Sequence, residues 1–166
     1  MHSSTLDAIF ALDVLCLQDP DGGPLNVAAQ RKRLDAVTLQ ARFALVRRNG
    51  TLVGYGYMWP LVDDTWFVGG LAIHPDYRNA GVTAELVRSF SAIVESSRAV
   101  ILESHVLADN LASMRLHRRL GFKPFHRDER AIAFRTCVAD LKLFQLPSSG
   151  GGRSHMTMAA SLGQYA

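Results

Sequence analysis

The chain has 166 residues, of which 48% are hydrophobic and 20% charged, and its formal net charge is +3. This length predicts one domain with a sizeable core, and the apolar runs are too short for a membrane-spanning helix of about 20 residues. The scattered positive charge disfavours a nucleic-acid-binding stripe. The two cysteines, Cys16 and Cys137, form no CxxC pair or His/Cys cluster. We therefore expect no metal, no membrane-targeting segment and a reducing, cytoplasmic location.

Two helices are predicted at the N-terminal end. Ser4 and Asp7 resemble a capping box at the start of the first helix. Its apolar residues recur at helical spacing: Leu6, Ile9, Phe10, Val14 and Leu17. The segment 19–24, rich in Asp, Pro and Gly, should end this helix. The second helix has one apolar side: Val27, Leu34 and Val37.

Three strands are predicted next. The β-prone runs Phe43–Val46 and Leu52–Trp59 flank Asn49-Gly50, which predicts a β-hairpin. A loop at 60–64 then leads to a strand at Trp66–His74. Within the second strand, three aromatic residues alternate along one face, where they either pack in the sheet or form a wall beside an amine: Tyr55, Tyr57 and Trp59.

The C-terminal half begins with a clear amphipathic helix after His74-Pro75. Its apolar positions share one face: Val82, Leu86, Val87, Phe90, Ile93 and Val94. A buried strand at Val100–Leu107 follows, and Asp109 or Asn110 can cap a further helix that ends at Gly121. Two closing strands, with a turn at 127–129 between them, complete the pattern: Phe122–Phe125 and Ala131–Leu146.

This order of elements combines hairpins with one strand-helix-strand crossover and predicts a mixed sheet. We expect an α/β chain with a mostly antiparallel, twisted sheet of six to seven strands and flanking helices. The domain should span residues 1–146. Residues 147–166 turn rich in Ser and Gly and read as a linker-like tail, either an artificial addition or a segment that docks on a second subunit.

The segment from Leu71 to Thr83 takes a strand end through a turn into a helix. Such a turn aims free backbone N–H groups and the positive end of the helix dipole at one spot, which suits a pyrophosphate. Arg78 can add charge, and Gly81 allows close approach of the backbone. An ordinary strand-to-helix turn that contains a glycine is the alternative.

These residues resemble the acetyl-CoA signature of the GCN5-related N-acetyltransferase (GNAT) superfamily. Pro75, Arg78 and Gly81 match it, while Thr83 stands where a second small residue is usual. A second block, 110–122, resembles the later motif of the family at four positions: Asn110, Leu116, Gly121 and Phe122. The two motifs together, in this order, are far more specific than either alone.

The resemblance implies a GNAT-like fold and an enzyme that transfers an acetyl group from acetyl-CoA to a primary amine of a small molecule or peptide. The amine would attack the thioester directly in a ternary complex. Acetyl-CoA would be the co-substrate, and no metal would be needed. The implied contacts lie along the pantetheine arm at Leu71, Ala72, Ile73 and Asn110, and around the pyrophosphate at Arg78, Asn79, Ala80, Gly81, Val82 and Thr83.

The resemblance also points to proton-transfer positions. His117 stands where many members have a tyrosine acid, and His105 lies five residues before Asn110, where members that acetylate N-termini place a glutamate base. Histidine serves as acid or base near neutral pH. Glu103 is a reserve base because it shares a strand face with His105. The alternatives are that His117 is a packing residue and that His105 only lines the acceptor cleft.

Other functions stay open from the sequence. An acyl-CoA-binding module that acts through a protein partner would explain the missing tyrosine and the substitution at Thr83. A nucleic-acid binder rests only on the scattered arginines. Asp63 and Asp64 either attract a cationic acceptor or form a solvated turn. Nothing activates Cys137 for an acyl-cysteine route, and edge strands favour a homodimer.

Overall fold

The computed structural model describes residues 3–17 and 25–142. These residues form four α-helices: α1 Ser3–Cys16, α2 Val27–Thr38, α3 Ala80–Ser97 and α4 Leu111–Arg119. They also form six strands: β1 Arg42–Arg48, β2 Thr51–Pro60, β3 Thr65–Ile73, β4 Ile101–Leu107, β5 Lys123–Arg127 and β6 Ala131–Cys137. The predicted order of helices and strands is confirmed.

The six strands form one sheet in the order β1-β2-β3-β4-β6-β5. Only β3 and β4 run parallel, joined by the crossover through α3, and the other neighbours are antiparallel. The expected mixed, mostly antiparallel sheet is therefore confirmed, with six strands. The hairpin between β1 and β2 turns at Asn49 and Gly50, whose φ angles of 50° and 82° fit a tight turn with left-handed backbone.

The sheet separates two apolar clusters. The cluster under α3 and α4 includes Leu86, Phe90, Leu102 and Leu116. The cluster under α1 and α2 is built on Ile9, Leu34, Tyr55, Tyr57 and Phe67. Each helix pair thus covers one face of the sheet. No helix within the described ranges combines the length and the apolar character needed to cross a bilayer.

Helix α1 differs from the sequence prediction in two details. It begins at Ser3, so Ser4 lies inside its first turn instead of capping it, and Asp7 forms an ion pair with Arg31 at 2.8 Å. Val14, expected on the apolar face, is 46% exposed, because the buried face runs instead through Leu6, Ile9, Leu12 and Asp13. The predicted break after this helix falls mostly on residues 18–24, outside the described residues.

The last strand is shorter than the sequence predicted. β6 ends at Cys137, and residues 138–140 form a 3₁₀ turn. The N–H of Val138 bonds to the carbonyl of Val100, and that of Lys142 to the carbonyl of Leu120, so the chain leaves the sheet and crosses to α4. The predicted strand to Leu146 is therefore wrong in length. Residues 143–166, with the boundary of the expected tail, lie outside the described part.

Candidate functional site

Strands β3 and β4 lie side by side for only part of their length. They pair at three positions, the last of which joins Phe67 to Glu103. Beyond this point β3 continues to Ile73 and β4 to Leu107, but the two no longer pair with each other. The edges of two parallel strands therefore open inside the sheet, and their backbone groups become available to a ligand.

A pocket lies at this opening, on the face covered by α3 and α4. It holds about 680 Å³ of empty space when its open mouth is counted. Most of its lining is apolar and comes from β3, β4, α3, α4 and the segments that follow α4: Val68, Leu71, Val87, Phe90, Leu102, Leu116, Leu120, Phe122 and Leu141. Three polar side chains share the lining: Ser104, Ser113 and His117. We refer to these three residues as the Ser104 cluster.

The hydrogen bonds of His117 define its tautomer. Its Nδ1 lies 2.8 Å from the carbonyl oxygen of Ser113, and because a carbonyl only accepts, Nδ1 carries the proton. In the neutral ring Nε2 then accepts from the hydroxyl of Ser104 at 3.0 Å. The ring is 7% exposed and packs between Phe122 and Phe134. Burial lowers the pKa of His117, and the Ser113 carbonyl opposes this shift.

The N-terminus of α3 forms one end of the region that the sequence predicted to hold a pyrophosphate. Asn79 caps the helix, and its Oδ1 accepts from the N–H of Val82 at 3.0 Å. Thr83 bonds back to the Asn79 carbonyl through its N–H and its hydroxyl. Ala80 and Gly81 are exposed, and their N–H groups precede any helical acceptor. These two donors are thus placed for an anion.

Arg78 is half-buried beside this helix start. Its Nε donates to the carbonyl of Ile73 at 3.1 Å, and the thiol of Cys16 donates to the same oxygen at 3.5 Å. The stem of Arg78 is therefore fixed against the end of β3. Among the predicted pantetheine contacts, Leu71 lines the pocket. Ala72 and Ile73 are buried, in the α1/α2 and α3/α4 clusters respectively.

Asn110 begins α4, as expected for a cap. Its Oδ1 accepts from the N–H of Ser113 at 2.9 Å. At the other end of the helix Gly121 has a φ of 97°, and a Cβ there would lie 2.7 Å from the carbonyl oxygen of Asp140. Glycine is therefore required at this position. The second motif fixes both ends of α4 and so places His117 over Ser104.

The opposite face of β4 carries the other candidate residues. The ring of His105 contacts Phe67 edge-on, with ring centroids 5.0 Å apart. Burial lowers the pKa of His105, while the charges of Glu103 and Asp128 oppose the shift. Glu103, on the same face as expected, accepts from Arg135 through Oε1 at 2.5 and 2.8 Å. Its carboxylate is thus already bound to a guanidinium.

The two candidate histidines therefore lie on opposite faces of the sheet. Ser104 and His105 are neighbours on β4, so their side chains point to opposite faces. His117 joins Ser104 on the α3/α4 face, whereas Glu103 and His105 lie on the α1/α2 face. The end of pairing between β3 and β4 lies between these two sets of side chains, and the pocket is lined from the α3/α4 side.

The aromatic residues of β2 pack under α1. Tyr55 and Tyr57 are buried and stack on each other, and Tyr57 also stacks on Trp59. The hydroxyl of Tyr55 donates to the buried carboxylate of Asp13. This arrangement agrees with the packing alternative of the two that the sequence left open.

Asp13 is fully buried and belongs to a polar network. Gln30 donates to its Oδ2 at 2.6 Å, and Arg33 donates to the Gln30 side-chain oxygen at 3.1 Å. Burial raises the pKa of Asp13 to about 6, although the bonds from Tyr55 and Gln30 oppose the shift. We refer to Asp13, Gln30, Arg33 and Tyr55 as the Asp13 cluster.

The sequence reading missed Ser104 and Asp13. Each carried a weak signal. Ser104 lies between Leu102 and Val106, at an inward position of an otherwise apolar strand face, and Asp13 interrupts the apolar face that includes Ile9. A polar residue at an inward position needs a partner. The sequence does not say which partner, because Tyr55 and His117 come from distant elements.

Comparison with known proteins agrees with this architecture. The model of the acetyltransferase (GNAT) family matches residues 7–122. L-2,4-diaminobutyric acid acetyltransferase of Streptomyces coelicolor is 36% identical over 102 residues, which cover 59% of this chain and 60% of that protein. The matched segments span 45% to 60% of the length of three curated relatives.

Solved structures show the same fold. Ribosomal-protein-S18-alanine N-acetyltransferase from Escherichia coli superposes with a TM-score of 0.68 at 16% identity, covering 93% of this chain and 96% of that one. PaiA N-acetyltransferase from Thermoplasma acidophilum, solved with coenzyme A, gives 0.66 at 10% identity, covering 82% and 95%. With a family match that includes both helices before the sheet, the two motifs and the opened strands, this chain belongs to the GNAT acetyltransferase family.

Proposed function

We propose that this protein is an N-acetyltransferase that moves an acetyl group from acetyl-CoA to a primary amine of a small molecule or peptide. The observation that carries the proposal is the opening between β3 and β4. An apolar pocket lies on one side of it, and the N-terminus of α3 beside it offers backbone N–H groups to an anion. An extended, mostly apolar chain that ends in phosphates fits these features together. Family membership supports the same donor.

In this proposal the donor lies along the α3/α4 face. The free N–H groups of Ala80 and Gly81 and the guanidinium of Arg78 hold the pyrophosphate, at the helix start formed by residues 79–83. The pantetheine arm enters the opening beside residues 71–73, and Asn110 lies at the start of the helix across from them. The thioester then lies near the last pair of β3 and β4, where backbone N–H groups stabilise the developing oxyanion.

The acceptor amine approaches from the α1/α2 face and attacks the thioester directly in a ternary complex. His105 is the base that takes a proton from the amine, because it is half-buried on this face and its lowered pKa keeps it neutral near pH 7. Glu103 is the weaker candidate, since Arg135 already neutralises it. The charge of Asp128, which acts on His105, suits an ammonium ion on this side of the cleft.

The first test is calorimetric titration of acetyl-CoA, coenzyme A and a longer acyl-CoA into the protein. It is followed by thiol release from acetyl-CoA with two amines, 2,4-diaminobutyrate and a peptide that begins with alanine. The first amine is the one named in L-2,4-diaminobutyric acid acetyltransferase of Streptomyces coelicolor. The second represents the N-terminal alanine named in the ribosomal-protein-S18-alanine N-acetyltransferase of Escherichia coli. Micromolar binding with amine-dependent thiol release supports the proposal. Binding without release from any amine would favour an acyl-CoA-binding module that acts through a protein partner.

His105→Gln tests the base. We expect kcat to fall about 100-fold at pH 7, with little change in acetyl-CoA binding. In the wild type, the acid side of the kcat profile should rise with pH through a pKa below 6.5, because the ring acts as a base only when it is neutral. Glu103→Gln is the matched control on the same face and should keep this limb of the pH profile. Loss of the limb in Glu103→Gln, but not in His105→Gln, would exchange their roles.

The homodimer and the cytoplasmic location expected from the sequence stay predictions. β1 and β5 are the edge strands of the sheet, and all five residues of β5 are exposed. Light scattering at several protein concentrations measures the oligomeric state directly.

A further inference from the structure

His117 is poorly placed to deliver a proton by itself. Its Nδ1–H is committed to the Ser113 carbonyl, and its Nε2 faces the hydroxyl of Ser104. Any group in the pocket that exchanges a proton with this ring through Nε2 meets the Ser104 oxygen first. The ring is also fixed, since Phe122 and Phe134 contact it.

Ser104 occupies the point where the sheet opens. It is the first residue of β4 beyond the last pair with β3, at Glu103. Its side chain lines the pocket together with Val68 and Gly70 of β3, yet it is only 2% exposed. After it donates to His117, its oxygen keeps lone pairs that can accept a further hydrogen bond. A thioester that enters between the strands therefore meets this hydroxyl at the closed end of the opening.

We propose that Ser104 is the residue that protonates the departing CoA thiolate, and that His117 supplies the proton through it. This inference rests on the proposed acetyl transfer and deepens it. The role that the family resemblance gave to a single phenol is divided here: Ser104 touches the sulfur, and His117 is the positioning and proton-supplying residue behind it.

The step balances as a relay. The C–S bond of the tetrahedral intermediate breaks and the sulfur takes the hydrogen of the Ser104 hydroxyl. At the same time the Ser104 oxygen takes the Nε2 hydrogen of a protonated His117, which returns to its neutral form. An acceptor that enters as an ammonium ion loses two protons in becoming an amide. One of these reloads His117 and the other goes to solvent.

The observed hydrogen bonds match the state after transfer. A thiol would donate to Ser104, Ser104 donates to Nε2, and Nδ1 keeps its proton on the Ser113 carbonyl. In the forward direction the proton passes along the same path, from Nε2 of His117 to the Ser104 oxygen while the Ser104 hydrogen passes to the sulfur. The neighbours of the ring from β4, β6 and the end of α4 are Ser104, Phe134 and Phe122, which carry no charge. A thiolate that forms beside Ser104 is therefore the charge that favours the imidazolium ion.

Ser104→Ala is the central test, measured with acetyl-CoA and whichever of the two amines the wild type acetylates. We expect kcat to fall about 100-fold, while the KM for acetyl-CoA and the calorimetric Kd change less than about threefold. Ser91→Ala is the matched control. Ser91 is also a buried serine, 3% exposed, but its hydroxyl bonds within its own helix to Val87. This control should keep wild-type kcat.

Two further variants separate the relay from a structural role. Wild-type kcat should fall on the alkaline side of its pH profile as His117 loses the proton that it supplies, and His117→Gln should lower kcat and abolish this fall. The double variant Ser104→Ala/His117→Tyr should regain about tenfold in kcat over Ser104→Ala, because a phenol can donate to the sulfur directly. A merely structural role for Ser104 would not be relieved by a larger side chain at 117.

The outcomes distinguish this inference from the proposed function. If the wild type acetylates an amine and Ser104→Ala keeps full kcat, the relay is wrong and the transferase stands. If Ser104 is recovered as an acetyl ester after quenching, serine is a nucleophile and the relay is also wrong. If the wild type transfers to neither amine, both proposals fall.

Discussion

Two buried polar clusters lie on opposite faces of the sheet, and they differ in what surrounds them. The Asp13 cluster joins α1 and α2 to β2 through Tyr55, where β2 and β3 stay paired from Gly54 to Pro60. The Ser104 cluster joins α4 to β4 just where the pairing of β4 with β3 stops. Both satisfy polar atoms inside an apolar core. The second lines the pocket at the strand opening, and this opening, more than polarity, distinguishes the candidate site.

The largest expected difference between the clusters is in their response to pH. The pKa of Asp13 is raised from 3.8 to about 6 in the folded state, so the folded protein binds the proton more tightly than the unfolded chain. Stability from this group is present below pH 4 and is lost as the pH rises through 6, by about 3 kcal/mol. The free energy of unfolding of Asp13→Asn, relative to that of the wild type, should therefore increase by about 3 kcal/mol between pH 4 and pH 7.

His117 should show the opposite sign. Its pKa is lowered in the folded state, so the unfolded chain takes up the proton first and stability is lost as the pH falls below 6.5. Urea unfolding of Asp13→Asn, His117→Gln and the wild type at several pH values measures the two slopes. If the free energy of unfolding of Asp13→Asn runs parallel to that of the wild type from pH 4 to 7, the raised pKa of the buried Asp13 carboxyl is wrong.

The same comparison explains how much of the fold and of the candidate site could be predicted from the sequence. Periodicity predicted the helices and strands, and two spaced motifs predicted a cofactor region around Arg78, Gly81 and Asn110. Local patterns could not show that His117 meets Ser104 or that Asp13 meets Tyr55, since these pairs join residues 13 and 42 positions apart. Nor could they show that β6 ends at Cys137, because the turn there depends on the carbonyls of Val100 and Leu120.

A smaller effect is expected at Tyr55. Tyr55→Phe removes the hydroxyl that donates to Asp13 and leaves the buried carboxylate with one fewer partner. We expect the free energy of unfolding to fall by about 2 kcal/mol at pH 7. The loss should shrink near pH 4, where Asp13 is protonated and needs its partners less. Chemical denaturation at the two pH values measures the difference. An equal loss at both would mean that the contribution of the Tyr55 hydroxyl to stability does not depend on the ionisation of Asp13.

The smallest effect is expected at Tyr57, which forms a matched pair with Tyr55 on the same strand face. Both rings are buried, and they stack with their centroids 6.0 Å apart. The hydroxyl of Tyr57, however, has no hydrogen-bond partner. A buried polar atom without a partner costs free energy, so Tyr57→Phe should leave stability unchanged or raise it by up to about 1 kcal/mol. Its aromatic packing on Phe43 and Trp59 is retained.

The pair decides what the hydroxyls of β2 do. Destabilisation by Tyr55→Phe together with a neutral or stabilising Tyr57→Phe would show that the carboxylate, and not general packing, accounts for the difference. A clear loss of stability in Tyr57→Phe would mean that its hydroxyl is satisfied in solution. The hydroxyl lies 3.5 Å from where a Cβ on Gly70 would be, and Gly70 also lines the pocket. A loss of kcat in Tyr57→Phe without a loss of stability would therefore add the Tyr57 hydroxyl to the groups of the α1/α2 face that act in the proposed reaction.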